Sequence, residues 1–168
     1  MAFMKKVTIR PAQKPDLEAL YDLYFEFHEF NAQHLPVYLQ SLGEPTKEDR
    51  KDLQKKLVQI LEGSDSTILV AEESGRILGF AEIWLKQPDP NDRAKIHTPY
   101  AHLQSLSVTQ PFRRKGIGIR LLQGAEAWAG ERGALELRLD IWEFSTGPLE
   151  FYQKAGYYTF RRALAKNL

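Results

Sequence analysis

Val7 and Ile9 alternate with polar neighbours in "KVTIRPA", and the run stops at Pro11, which predicts a short first strand. From Pro15 to about Phe30 the period changes. Leu17, Leu20, Tyr21, Tyr24 and His28 recur at helical spacing, with Asp16 in the first turn. "NAQHLPVYLQSLGEP" breaks this pattern. A second helix is predicted over Thr46 to Glu62, with Leu53, Leu57, Ile60 and Leu61 turned inward and Gly63 at its end. Two apolar runs, "STILVAEE" and "RILGFAEIWL", are joined by Ser74-Gly75, a hairpin signal. "KQPDPNDRAKIHTP", 14 residues with three prolines and both charge signs, reads as a long loop of the kind that often carries function.

Strand alternation resumes in "YAHLQSLSV", where a period of two places His102, Gln104, Leu106 and Val108 on one face. The next helix runs from about Ile117 to Glu131, with Leu121, Leu122, Ala125, Trp128 and Ala129 on one side and Gly133 closing it. "ALELRLDIW" alternates strictly, with Leu135, Leu137, Leu139 and Ile141 on one side. Pro148 then opens a short helix, and "GYYTFRRALAKNL" supplies a last strand or hairpin. The order is β-α-α-β-β-β-α-β-α-β, an α/β (α+β) pattern without internal repeats, read as one domain over residues 1–168.

Composition narrows the functions this fold can serve. With 23 basic and 22 acidic residues the charge nearly cancels, so a nucleic-acid coat is not expected. The chain has no cysteine, hence no disulfide, no thiolate nucleophile and no cysteine-ligated zinc, which suits a cytoplasmic location. No signal-like start or run of 18 apolar residues occurs, and no membrane partner is expected. The histidine spacings, His28 with His34 and His97 with His102, fit no common zinc pattern, so no metal is predicted.

"TQPFRRKGIGIRLL" places Arg113, Arg114 and Lys115 with Gly116 and Gly118 where a strand hands over to a helix. The first amides of a helix lack intrahelical acceptors, the helix dipole adds positive potential, and glycines permit close approach. This arrangement suits a phosphate or diphosphate, although the same residues also describe a tight turn with a solvated basic face. The pattern lacks the Walker A sequence and the third glycine of a dinucleotide loop.

The segment Arg113-Arg114-Lys115-Gly116-Ile117-Gly118 resembles the [QR]-x-x-G-x-[GA] loop of the GNAT superfamily of acetyl-CoA-dependent N-acetyltransferases. The resemblance extends to "SLSVTQPFRRKGIG", to "ALELRLDIW" and to "LEFYQKAGY". It implies a mixed, mostly antiparallel central sheet of about six to seven strands flanked by about four helices. It also implies acetyl-CoA as cosubstrate, a small-molecule or peptide amine as acceptor, and a homodimer. The amides of Arg114 to Ile119 would carry the diphosphate, with Gly116, Ile117 and Gly118 at the centre. Arg113 and Arg114 would reach the 3′-phosphate. The main chain of Leu106, Ser107 and Val108 would line the pantetheine, and the Leu106 amide would face the acyl oxygen.

The reaction so implied sets proton requirements. A lysine-like amine is only about 0.1% neutral near pH 7.4, so a base is needed. His102 and Glu82 are the candidates, with His97 behind them. The departing thiolate needs an acid, and the resemblance points to Tyr152, for which a packed core aromatic is the competing role. Ser145 stands where the family has an asparagine, so a side-chain amide contact to the cofactor does not carry over, which leaves Ser145 a cap or a hydroxyl hydrogen bond. Glu26, His28 and Glu29 are expected to line an acidic acceptor pocket suited to a cation, unless they form a solvated helix face. A non-catalytic acyl-CoA-binding module is the alternative from a different class.

Overall fold

A computed structural model describes residues 7–37, 45–91 and 98–168 of the protein. Nine principal elements occur in these residues: β1 (Thr8–Pro11), α1 (Leu17–Ala32), α2 (Lys47–Glu62), β2 (Ser66–Glu73), β3 (Arg76–Lys86), β4 (Tyr100–Val108), α3 (Ile117–Glu131), β5 (Glu136–Arg138) and α4 (Leu149–Lys154). Short 3-10 turns precede α1 and follow β4.

Local chemistry accounts for several boundaries. Thr46 caps α2 reciprocally: the Asp49 amide donates to Thr46 Oγ1 at 3.2 Å, and the Thr46 amide donates to Asp49 Oδ2 at 2.7 Å. Ser74 and Gly75 both take positive φ, 53° and 81°, the geometry of a two-residue hairpin turn whose twist matches the flanking strands. Gly133, at φ 79°, ends α3.

The sheet has the order β1-β2-β3-β4-β5. Neighbours are antiparallel except β4 and β5, which run parallel and pair only through Tyr100–Glu136, Ala101–Leu137 and His102–Arg138. Leu20, Leu23 and Tyr24 of α1 with Leu57 and Ile60 of α2 cover one face, against Ile68, Val70 and Phe80. On the other face α3 packs Leu121, Leu122, Ala125 and Trp128 against Ala81, Ile83 and Leu103, with Tyr152 of α4 beside them.

Four expectations change. The described residues form five strands, not six to seven, and Tyr157 to Leu168 join no strand. The "ALELRLDIW" strand contracts to three residues. Leu137, Leu139 and Ile141 still pack toward the α3 core, whereas Leu135 is 74% exposed. Alternation kept the apolar pattern without guaranteeing a partner strand. His28, one turn beyond buried Tyr24 in the α1 stripe, is exposed rather than packed in the core.

The fourth change concerns β4. Its register against β3 shifts where Glu82 opposes Ser105 and Ile83 opposes Leu103, leaving Gln104 as an extra, exposed residue. Such a bulge reverses the alternation beyond it. His102, Ser105 and Ser107 therefore oppose Trp84, Glu82 and Phe80 on the α1/α2 face, while Leu106 and Val108 oppose Ala81 and Gly79 and pack with the α3 core. His102 does not share a face with Leu106 and Val108.

Two glycines of α3 should respond oppositely to substitution. A side chain on Gly124 would meet Ile9 and Leu69, each 3.1 Å from its Cβ, whereas Gly130 faces open space. Gly124→Val should destabilise by about 1–3 kcal/mol through overpacking. Gly130→Ala should stabilise by about 0.5–1 kcal/mol through helix propensity. Urea denaturation of both variants checks the pair of signs.

Candidate active site

Three features converge where β4 parts from β5. The first is the free edge of β4. The Thr109 amide donates to the Leu78 carbonyl of β3 at 2.9 Å, so by the alternation of strand hydrogen bonding the main-chain groups of Ser107 also face β3. Those of Leu106 and Val108 then face the opposite edge, beyond His102, where β5 no longer pairs. Arg113 confirms the direction, since its Nε donates to the Val108 carbonyl at 2.8 Å.

The second feature is the start of α3. Gly116, its N-cap, has φ 80° and ψ 1°, and no side chain caps the helix. Among the described residues the amides of Gly116, Ile117, Gly118 and Ile119 donate to no acceptor; the first helical bond joins the Arg120 amide to the Gly116 carbonyl. A left-handed residue leading into a right-handed helix turns successive amides into one concavity, the arrangement that holds anions. Arg114 adjoins it at φ 59°, an uncommon conformation for a residue with a side chain. Arg114 and Lys115 are exposed.

Gly118 contributes differently from its sequence reading. A Cβ there would lie 3.6 Å from the Phe151 ring and 3.9 Å from Leu106, so this position governs how closely α3 approaches α4 and β4.

The third feature is a buried carboxylate on the α1/α2 face. Glu82 has no exposed surface. Tyr24 donates its hydroxyl to Glu82 Oε2 at 2.5 Å, Trp84 donates Nε1 to Oε1 at 2.7 Å, and Lys56 Nζ lies 3.7 Å from Oε1. A carboxylate so deep requires donors and a countercharge, and α1, α2 and β3 supply them. Burial, followed by the charge and hydrogen bond of Glu82, pushes the Tyr24 phenol well above its ordinary value, so it acts as a donor.

His102 lies on the same face, opposite Trp84 on β3. Loss of hydration lowers its imidazole from the ordinary value. Asp140, at 4.0 Å from Nε2, raises it in part, and Lys86 lowers it further. Tyr152 is 8% exposed on the opposite face, and burial pushes its phenol up to about 12. It packs edge-on against Phe151 and Tyr157, at 5.0 and 5.7 Å between ring centroids. Among the described residues its hydroxyl has no hydrogen-bond partner.

Other sequence-based candidates lie apart from this centre. Ser145 is exposed and caps nothing, α4 beginning without a side-chain cap. The Glu26 carboxylate is engaged by Arg113, Thr109 and Gln110, and Glu26 also borders, with Asp22 and Glu29, a groove between α1 and α2. His97 lies outside the described residues, as do parts of the segments Asn31 to Pro45 and Lys86 to Pro99. Sequence reading missed Tyr24, Trp84 and Lys56 as partners of Glu82. The available signal was a glutamate within an otherwise apolar strand, which calls for compensation by unspecified neighbours.

The sequence pattern of the acetyltransferase (GNAT) family matches residues 17–157, and the chain belongs to that family of acyl-transferring enzymes. It is 28% identical over 151 residues to the uncharacterized N-acetyltransferase YhfO of Bacillus subtilis (strain 168), covering 90% of this chain and 89% of that protein. The fold is similar to that of a mutant of the BH1408 protein from Bacillus halodurans, with TM-score 0.83 and 22% identity over 96% of this chain and 99% of that one. It is also similar to the aminoglycoside N-acetyltransferase AAC(6')-Iy in complex with CoA, with TM-score 0.76 and 18% identity over 100% of this chain and 98% of that one. No helix among the described residues is long and apolar enough to cross a membrane.

The electrostatics of His102 give a direct check. It should titrate below the ordinary imidazole value of about 6.5, and Asp140→Asn, by removing the larger of two carboxylate influences that raise it, the other being Glu82, should lower it further. Because the folded state binds its proton more weakly than the unfolded state, the stability His102 contributes is complete above about pH 6.5 and falls as pH drops through the folded-state value. NMR titration of the imidazole measures both effects; an upward shift in the Asp140→Asn variant would contradict the assignment.

Proposed function

We propose that the protein is an acetyl-CoA-dependent N-acetyltransferase that transfers an acetyl group to a primary amine of a small molecule or peptide by direct attack in a ternary complex. The observation that carries this reading is the adjacency of the β4 edge at Leu106 and Val108, which no strand pairs and where only the Val108 carbonyl is taken, by Arg113, to the unbonded amides of Gly116 to Ile119. The two would receive the pantetheine and the diphosphate of one coenzyme. Arg114 and Lys115 supply charge for its phosphates, while Arg113 is engaged within the protein.

Bound acetyl-CoA would supply an activated thioester. The residues of this chain would manage protons and charge around it. The Leu106 amide, fixed by the strand, would donate to negative charge developing on the acyl oxygen. His102, held largely neutral at pH 7 by its surroundings, can accept a proton from the incoming amine at a ring nitrogen. Glu82 is closed in by Tyr24, Trp84 and Lys56, which suits it to orient and electrostatically support that amine, or to take its proton through a water. Tyr152 stays protonated at physiological pH and can donate from its hydroxyl to a departing thiolate. Candidate base and candidate acid occupy opposite faces of the sheet, and the opening between β4 and β5 gives one ligand access to both.

The cysteine-free composition fits a cytoplasmic location, and Leu135, Tyr158, Phe160 and Leu164 expose apolar surface consistent with a homodimer.

Tyr152→Phe should lower kcat by about 10²-fold or more while leaving coenzyme A affinity within about twofold of wild type. Thiol release over a panel of primary amines, with binding measured separately, tests both parts. An equal loss of affinity would make the ring structural. Coenzyme binding by the wild type without turnover of any amine would favour a non-catalytic acyl-CoA-binding module.

A further inference from the structure

Glu26 lies on α1, on the acceptor side of the sheet, yet its carboxylate gathers donors from the segment that leads into the phosphate loop. Thr109 Oγ1 donates to Oε2 at 2.9 Å, the Gln110 amide donates to Oε1 at 2.9 Å, and Arg113 Nη2 donates to Oε1 at 3.0 Å. Arg113 is held further by its Nε bond to the Val108 carbonyl and lies 5.0 Å from the centroid of the Phe30 ring, also on α1. Glu26 and Arg113 side chains are each 33% exposed, so the pair is partly shielded.

These donors bracket the 3-10 turn Gln110–Phe112. Immediately after it come the two unusual backbone conformations of the loop, Arg114 at φ 59° and Gly116 at φ 80°. A residue with a side chain keeps a left-handed conformation only where its surroundings determine it. The loop has few internal constraints, because α3 begins without a side-chain cap and the amides of Gly116 to Ile119 bond to nothing among the described residues. Its entry, by contrast, is fixed at three points by one carboxylate.

We propose that Glu26 is a positioning residue for the coenzyme: by holding Thr109, Gln110 and Arg113 it sets the course of the chain into α3, so that the amides of Gly116 to Ile119 converge. The inference rests on the coenzyme site proposed above. It gives Arg113 a role through Glu26 rather than through direct contact with a phosphate, and it makes α1, which also carries Tyr24 to Glu82, a support of both halves of the site. A plain structural staple between α1 and β4 would instead cost stability and leave coenzyme affinity unchanged.

Calorimetric titration of coenzyme A separates these outcomes, using wild type, Glu26→Gln, Glu26→Ala, Arg113→Ala and the double variant Glu26→Ala/Arg113→Ala. The temperature is one at which circular dichroism shows each variant fully folded, so lost stability alone cannot move the Kd. Glu26→Ala should weaken binding about tenfold, in keeping with loss of hydrogen bonds to a charged group. Glu26→Gln should fall between it and wild type, because its single amide oxygen can still accept from the Gln110 amide and from Arg113 but carries no charge, while its NH2 replaces the oxygen that accepted from Thr109; it serves if Glu26→Ala does not fold. The double variant should be no weaker than the worse single variant, the non-additivity of residues acting as one unit. Wild-type affinity in a folded Glu26 variant would overturn the proposal, as would additive losses, which would mean that Arg113 grips the coenzyme independently. A wild-type protein that takes up no coenzyme A would overturn the proposed function itself.

Discussion

The candidate site depends on one strand being hydrogen-bonded unequally on its two edges. β4 pairs with β3 along its whole length but with β5 for three residues only, after which its Leu106 and Val108 groups face an opening. Buried or half-buried peptide groups are rarely left without partners, so such an edge either meets water or receives a ligand chain that can pair with it. The start of α3 stands at the end of the same strand with four amides in the same condition. Each feature alone would be ordinary. Their adjacency, fixed by the 3-10 turn between them, gives an extended ligand with an anionic end a continuous path.

The chemistry is divided by the sheet. On one face Glu82 and His102 lie under α1 and α2; on the other Tyr152 is buried with α3 and α4. Burial acts on these groups in chemically useful directions, keeping His102 neutral and Tyr152 protonated. Glu82 is held more firmly than an exchangeable base needs to be, by two neutral donors and a nearby ammonium. That rigidity suits orientation of the amine and leaves His102 the more accessible proton acceptor.

Signals confined to a few neighbouring residues were readable in the sequence. The helix start at Thr46, the Ser74-Gly75 turn, and the glycines at both ends of α3 each mark a local backbone conformation, and the elements they bound occur where the pattern puts them. The strand-to-helix turn at Arg113 to Gly118 was legible for the same reason. Features that need distant partners were not. Alternation in "ALELRLDIW" and the apolar C-terminal segment suggest strands, but only three residues of the former find a neighbour. The bulge at Gln104 leaves no mark in a pattern of alternating residues, so the faces of Leu106 and His102 were misassigned. Tyr24 lies 58 positions from Glu82, and Glu26 lies 87 from Arg113. No spacing rule reaches so far, and Glu26 therefore looked like part of an acidic helix face.

The central claim is that main-chain donors, rather than the basic side chains beside them, form the core of the ligand site. Titrating coenzyme A into ¹⁵N-labelled protein and following the backbone amides tests it most directly. The largest shifts should fall on Gly116, Ile117, Gly118 and Ile119, with Leu106 and Val108 also moving as the pantetheine pairs with β4. Shifts concentrated on the groove between α1 and α2, with the start of α3 undisturbed, would contradict it.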